Sequence, residues 1–98
     1  MDYFKTQYEE FYTREGYYWG TEPAGFLDKL IALRAPGDGI KVLDLGCGEG
    51  KDAVYMASRG YTVTAFDITD NGIRKAKKLA AERGVCIHAF VDDINTFE

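Results

Sequence analysis

Acidic side chains close three segments of this sequence that have the composition of buried strands. Asp44 lies next to the end of the first segment, Asp67 follows the second, and the pair Asp92 and Asp93 follows the third. Because ligands of parallel sheets bind beyond the carboxyl ends of the strands, we expect these carboxylates at one edge of a sheet. Carboxylate oxygens accept hydrogen bonds, so this edge would suit a ligand rich in hydroxyl and amine groups.

A glycine-rich turn separates the first strand from the helix after it. Gly46, Gly48 and Gly50 alternate with Cys47 and Glu49. Glycine lets the backbone turn sharply and lets a ligand lie almost on the main chain. The free N–H groups of the following helix would point towards that ligand. The turn therefore predicts a small-molecule site, most simply for a cofactor that contains a nucleoside.

The positions after the strands predict where the parts of a nucleoside would bind. A carboxylate at Asp67 can accept hydrogen bonds from both hydroxyls of a ribose. Asp93, or its neighbour Asp92, can accept one from the exocyclic amine of a base. Ile68 and Ile94 directly follow these acids. Their side chains could enclose the flat base between two apolar surfaces.

A dinucleotide site is the main alternative, and the glycine spacing argues against it. The NAD-type fingerprint requires Gly-x-Gly-x-x-Gly, but counting from Gly46 its third position is Lys51. Asp44 would repel a pyrophosphate, whereas it suits a ligand that carries an amino group or a sulfonium. Glu49 favours the same ligand, although an acid at a helix start also interacts favourably with the helix dipole.

The periodicity of apolar residues predicts an α/β fold. The predicted helices cover residues 2–15, 22–33, 49–59 and 71–83, and the predicted strands cover 41–45, 62–66 and 85–91, with a loop at 36–39. Short connections and right-handed crossovers give a Rossmann-like, three-stranded parallel sheet in the order 3-2-1, which is half of a doubly wound fold. We expect one domain, in which residues 1–36 form a helical cap and residues 37–98 form a βαβαβ core.

The segment between the first two helices is densely aromatic, with Tyr17, Tyr18 and Trp19 in succession. One interpretation is that these rings cover a hydrophobic edge of the core. The other is that they form a lid over the ligand, because flat rings stack on a base or surround a cation. The sequence alone leaves both interpretations open.

Polar residues of the last predicted helix are expected to have structural roles. Asp70 is a candidate N-cap, since its side chain can accept a hydrogen bond from the first turn. The cations Arg74, Lys75, Lys77 and Lys78 are expected to form the solvated face of this helix.

Composition restricts the classes of function. The chain has 98 residues, of which 46% are hydrophobic, and a formal net charge of −4. These values predict a packed core and argue against nucleic acid as a direct partner. The sequence has neither a membrane-spanning apolar run nor the pattern of a signal peptide. Cys47 and Cys86 make no disulfide framework or metal pattern, so a reducing cytoplasm is the expected compartment.

The motif Asp-Leu-Gly-Cys-Gly-Glu-Gly at 44–50, together with Asp67 and the pair Asp93-Ile94, resembles the cofactor half of the class I S-adenosylmethionine-dependent methyltransferases. The segments 18–23 (Tyr-Trp-Gly-Thr-Glu-Pro) and 51–53 (Lys-Asp-Ala) are most similar to the tellurite-resistance (TehB-like) branch of that family. The resemblance covers nearly the whole chain.

This resemblance implies a cofactor and a role for each motif residue. S-adenosylmethionine would be the methyl donor, S-adenosylhomocysteine the product, and a small molecule the acceptor. Gly46 and Gly48 would lie against the methionine moiety, Asp44 would hold its amino group, Asp67 would bind both ribose hydroxyls, and Asp93 with Asp92 would contact the adenine amine. The predicted cofactor-binding residues are Trp19, Asp44, Gly46, Cys47, Gly48, Asp67, Ile68, Asp92, Asp93 and Ile94. Neither the acceptor nor a catalytic residue can be predicted.

Members of the family carry further strands beside strand one, and the resemblance implies that this chain is their cofactor half. Strand one would then present an open, apolar edge, which is a template for pairing with another chain. We expect a homodimer through that edge, or a monomer of low stability. Two alternatives to an enzyme stay open: a cofactor-binding fragment that does not turn over, and a nucleotide- or NAD-binding Rossmann half.

Overall fold

A computed structural model of the chain describes residues 3–25, 27–33 and 40–93. Their elements are, in chain order, α1 (Tyr3–Thr13), α2 (Leu27–Leu33), β1 (Lys41–Leu45), α3 (Lys51–Ser58), β2 (Thr62–Asp67), α4 (Asp70–Glu82) and β3 (His88–Val91). The predicted loop at 36–39 and the predicted site residue Ile94 lie outside the described residues.

The strands form one parallel sheet in the order β1-β2-β3, which confirms the predicted 3-2-1 arrangement and the Rossmann-like fold. Asp44 pairs with Ala65, and Asp67 pairs with Val91. The carboxyl ends of β1 and β2 therefore lie side by side. This register places the glycine turn after β1 next to Asp67 at the end of β2.

The core lies between β2 and the helices α3 and α4. Ala53 and Met56 of α3 pack against Val63 and Ala65 of β2, and Leu27 joins them from α2. Burying a side chain of the size of valine or methionine stabilises the fold by about 1.5–3 kcal/mol. This packing fixes the start of α3, and with it the glycine turn, over the sheet edge.

Strand β1 is less covered than its apolar composition predicts. Leu43 is 52% exposed and Leu45 is 46% exposed, whereas Val42 on the same strand is half-buried. The first segment has the composition of a buried strand, and the expectation that it is buried is therefore wrong for one face of β1. Val42 packs on the cluster that contains α3. Because side chains alternate along a strand, Leu43 and Leu45 lie on the opposite face of the sheet.

Several element boundaries differ from the predicted ones because backbone groups bond elsewhere. Residue Gly50 has a left-handed φ of 89°, so α3 begins at Lys51 and not at 49. The amide of Val85 donates to Ala80 O and ends α4, so β3 begins at His88 and not at 85. Helix α2 begins at Leu27 and not at 22, since the amide of Ala24 donates to the Asp52 carboxylate.

The N-cap of α4 is Thr69 and not the predicted Asp70. Thr69 Oγ1 accepts from the amide of Gly72 at 3.2 Å, and Asp70 is already the first helical residue. Thr69 has the extended backbone that an N-cap requires, at φ −101° and ψ 134°.

No helix among the described residues is long and apolar enough to cross a membrane.

Candidate functional site

A cavity of about 430 Å³ opens at the carboxyl ends of β1 and β2. Most of the predicted site residues line it: Trp19, Asp44, Gly46, Cys47, Gly48, Asp67 and Ile68. Asp92 and Asp93 follow β3, on the far side of β2 from β1, and the structure does not bring them to this cavity. The backbone amide of Asp92 instead donates to Asp67 O at 3.0 Å.

The first and the last glycine of the turn have different roles. Gly46, at φ 68°, has no atom within 4 Å of the position that a Cβ would take, so its backbone is open to the cavity. At Gly50, by contrast, a Cβ would lie 2.5 Å from the Cβ of Ala76. Gly46 therefore leaves room for a ligand, whereas Gly50 lets the turn pack directly on α4.

Asp67 holds the glycine turn from the end of β2. Its Oδ1 accepts from the amide of Gly48 at 3.0 Å, and its Oδ2 accepts from the amide and the hydroxyl of Thr69 at 3.1 and 2.5 Å. A carboxylate has about four acceptor positions. These bonds leave about one for a ligand, whereas the sequence suggested that the whole carboxylate would face a ribose. Asp67 is only 8% exposed, which fits this inward role.

Asp44 contributes to a negative charge in the cavity that Lys51 offsets only in part. Burial, together with the nearby carboxylates of Asp52 and Asp67, raises the pKa of Asp44 to about 6, and Lys51 opposes part of this shift. Lys51 also donates to Asp52 at 3.3 Å, so its charge is shared between acids. A cationic group placed beside Asp44 would be favoured because it would offset this repulsion.

An aromatic wall faces the glycine turn across the cavity, and we define it as Tyr8, Tyr12 and Trp19. Trp19 Nε1 donates to Tyr12 Oη at 2.8 Å, and burial raises the pKa of Tyr12 to about 12. Tyr8 stacks on Tyr12 with ring centroids 6.0 Å apart. Sequence reasoning missed Tyr8 and Tyr12 as site residues, although their i, i+4 spacing places them on one helix face.

The two interpretations of the aromatic segment apply to different residues. Tyr18 stacks on Phe11 of α1, with centroids 4.5 Å apart and planes 3° apart, so it covers a hydrophobic surface. Trp19 instead lines the cavity.

Cys47 also lines the cavity. Burial raises the pKa of its thiol, so it is a poor nucleophile at neutral pH.

The expectation of a fully solvated cationic face on α4 is wrong for Lys75. Its side chain is 7% exposed and pairs with Glu49 of the glycine turn at 3.0 Å, while Arg74, Lys77 and Lys78 are exposed. A signal was present in the sequence, because Lys75 lies four residues before the buried Leu79 on the apolar face of the helix. Glu49 is 2% exposed, and its two carboxylate oxygens accept from Lys75 and from the amide of Trp19.

The fold and the site define a Rossmann-like domain with a cavity over a glycine turn and acids at the adjacent strand ends. Comparison with known proteins gives the family: residues 42–98 match the family model described as methyltransferase domain. The chain therefore belongs to the methyltransferase-domain family.

Individual relatives support this assignment. The chain is 47% identical over 57 residues to the 2-heptyl-1-hydroxyquinolin-4(1H)-one methyltransferase of Mycobacteroides abscessus, covering 57% of this chain and 25% of that protein. It is 37% identical over 73 residues to the tRNA 5-carboxymethoxyuridine methyltransferase of Escherichia coli, covering 69% of this chain and 28% of that one.

The crystal structure of TehB from Haemophilus influenzae superposes with a TM-score of 0.70 at 30% identity, covering 90% of this chain and 29% of that one. The resemblance to the methyltransferase family, including its TehB-like branch, is thereby confirmed. The chain spans about a quarter of the length of the relatives that it matches.

Proposed function

We propose that this chain forms the cofactor-binding part of an S-adenosylmethionine-dependent methyltransferase. The observation that supports this most is the charge of the cavity, which Asp44, Asp52 and Asp67 line together with the open backbone of Gly46. A ligand with an ammonium and a sulfonium group would relieve their repulsion. The pyrophosphate of a dinucleotide such as NAD would add to it.

The residues that line the cavity fit the parts of that cofactor. Gly46 and Gly48 would lie against the methionine moiety, and Asp44 would hold the amino group. Asp67 has an acceptor position for one ribose hydroxyl. Trp19 and Ile68 would supply apolar contact, and when bound the cofactor supplies an electrophilic methyl group on sulfur.

The roles of Asp92 and Asp93 stay predictions from the sequence. Asp92 and Asp93 would contact adenine, in which case the base would extend from Asp67 towards β3.

We propose a small-molecule acceptor, because a net charge of −4 disfavours a polyanion. The division into a cap at 1–36 and a core at 37–98, and the cytoplasmic location, are also proposals.

A matched pair of glycine variants tests the site. Gly46 and Gly84 share a φ of 68° and have no atom within 4 Å of a Cβ position, so alanine should cost each about 1 kcal/mol of stability. Only Gly46→Ala would place a methyl group in the cavity. We expect it to weaken binding of S-adenosylhomocysteine at least tenfold in calorimetric titrations, with Gly84→Ala within twofold of wild type.

The same titrations decide the class of ligand. Wild type should bind S-adenosylmethionine and S-adenosylhomocysteine and should show no heat with NAD. Binding of NAD alone, or equal affinities for S-adenosylhomocysteine in the two glycine variants, would contradict the proposed function.

We also propose that two copies of the chain associate through β1. The strand is an edge of the described sheet, and Leu43 and Leu45 are about half exposed on it. Leu43→Lys should shift the molar mass in light scattering from dimer to monomer, because a charge at a sheet edge disfavours pairing. Thr62→Lys, an exposed position on the central strand, is the control. A monomeric wild type at micromolar concentration would overturn this proposal.

A further inference from the structure

Lys75 joins three parts of the structure through one ammonium group. Its Nζ donates to Arg14 O at 2.6 Å, to Gly16 O, and to Glu49 Oε2 at 3.0 Å. An ammonium has three protons, so these acceptors satisfy it completely. The end of α1, the glycine turn and α4 therefore meet at a single buried side chain.

Glu49 completes the connection with its other oxygen. Glu49 Oε1 accepts from the backbone amide of Trp19 at 3.3 Å. The pair thus holds the segment 14–19 at both ends: Lys75 binds two carbonyls at its start, and Glu49 binds the amide at its end. Trp19 is also held by its indole, which donates to Tyr12, and by ring contacts with Tyr8 and Tyr18.

Burying two charges is a costly way to gain stability. The desolvation of a buried ion pair offsets much of the attraction between its members, and apolar residues of similar volume often stabilise a fold equally well. The pair is better explained by what its hydrogen bonds fix than by its free energy. What they fix is the backbone that carries Trp19 to the cavity.

We propose that Glu49 and Lys75 are positioning residues that hold the segment 14–19, and with it Trp19, over the glycine turn, and so set the affinity for the cofactor. This inference rests on the proposed function for the identity of the ligand. The position of the segment itself can be measured in the free protein, so the two proposals fail separately.

The decisive variant is the double replacement Glu49→Met and Lys75→Met, which removes both charges together and leaves neither unpaired. We expect it to fold, to exchange the Trp19 amide with deuterium at least tenfold faster, and to bind S-adenosylhomocysteine at least tenfold more weakly. Lys78→Met, an exposed position on the same helix, should change neither quantity by more than twofold.

A conservative variant separates positioning from plain stability. In Glu49→Gln a side-chain oxygen can still accept from the Trp19 amide, so affinity should stay within about threefold of wild type even if the free energy of unfolding falls. If the double variant does not fold, Glu49→Asp replaces it: the shorter acid cannot reach Trp19 and Lys75 together and should show the same faster exchange and weaker binding.

The outcomes are distinct. Unchanged exchange of the Trp19 amide together with unchanged affinity in the folded double variant, or in Glu49→Asp, would overturn the inference. A wild type that binds no S-adenosylhomocysteine would instead overturn the proposed function, and the exchange data would still decide whether the pair positions the segment. Trp19 is the only tryptophan of the chain, so its indole signal in NMR spectra is unambiguous.

Discussion

Gly50→Ala is expected to lower the free energy of unfolding by about 2–5 kcal/mol. The new Cβ would lie 2.5 Å from the Cβ and 2.8 Å from the Cα of Ala76, and a backbone atom of a packed helix cannot move aside cheaply. The residue would also be held at φ 89°, which costs an L-amino acid about 1–2 kcal/mol. Urea denaturation measures the loss.

Gly84→Ala is the control for the backbone part of that loss. Gly84 also has a left-handed φ, but no atom lies within 4 Å of its Cβ position, so we expect a loss of only about 1 kcal/mol. If the two variants were equally destabilised, the close approach of the glycine turn to α4 would be contradicted.

Asp44→Asn is expected to stabilise the free protein while it removes affinity for the cofactor. Burial and neighbouring acids raise the pKa of Asp44 to about 6, so its charged form is unfavourable in the folded state. Asparagine should therefore raise the free energy of unfolding at pH 8 by about 1–2 kcal/mol, after allowance for solvent screening. A lost bond between carboxylate and ammonium, at about 1.5–3 kcal/mol, corresponds to roughly 10- to 150-fold weaker binding.

The raised pKa of Asp44 also predicts how stability and cofactor affinity change with pH. The folded protein holds the Asp44 proton more tightly than the unfolded chain, so this residue makes wild-type stability fall as the pH rises from about 4 through about 6. Affinity for a cationic ligand should rise over the same range, as the carboxylate ionises. Both trends should be weaker in Asp44→Asn and retained in Asp70→Asn, an exposed acid. Identical pH profiles for wild type and Asp44→Asn would contradict the assignment.

The sequence contains much of this fold because its strongest signals are local. The glycines of the turn, the strand ends at Asp44 and Asp67, and the helical periodicities each lie within a few residues, and together they predict the sheet order and the edge where the site forms. The hydrogen bonds of Asp67 were harder to predict, because the Gly48 amide that it binds belongs to the turn after a different strand.

Contacts between distant residues were not predictable in the same way. Lys75 looked like one more solvated lysine, since its acceptors on Arg14 and Gly16 are about sixty positions away in the chain. Tyr12 lies 36 positions before Gly48 in the chain, and only the fold places its hydroxyl beside that glycine. A short stretch of sequence reports its own secondary structure, but burial of a charge depends on which partners the whole chain brings to it.

The N-terminus of α4 has a consequence for ligand choice. The carboxylate of Glu9, from α1, accepts from the amides of Asp70 and Asn71 at 2.9 and 3.0 Å. Free amides at a helix start are where proteins commonly bind phosphate, and here an internal acid already occupies them. A phosphate bound at the start of α4 would have to displace Glu9, so we expect the proposed site to bind a plain nucleoside more tightly than a 2′-phosphorylated one.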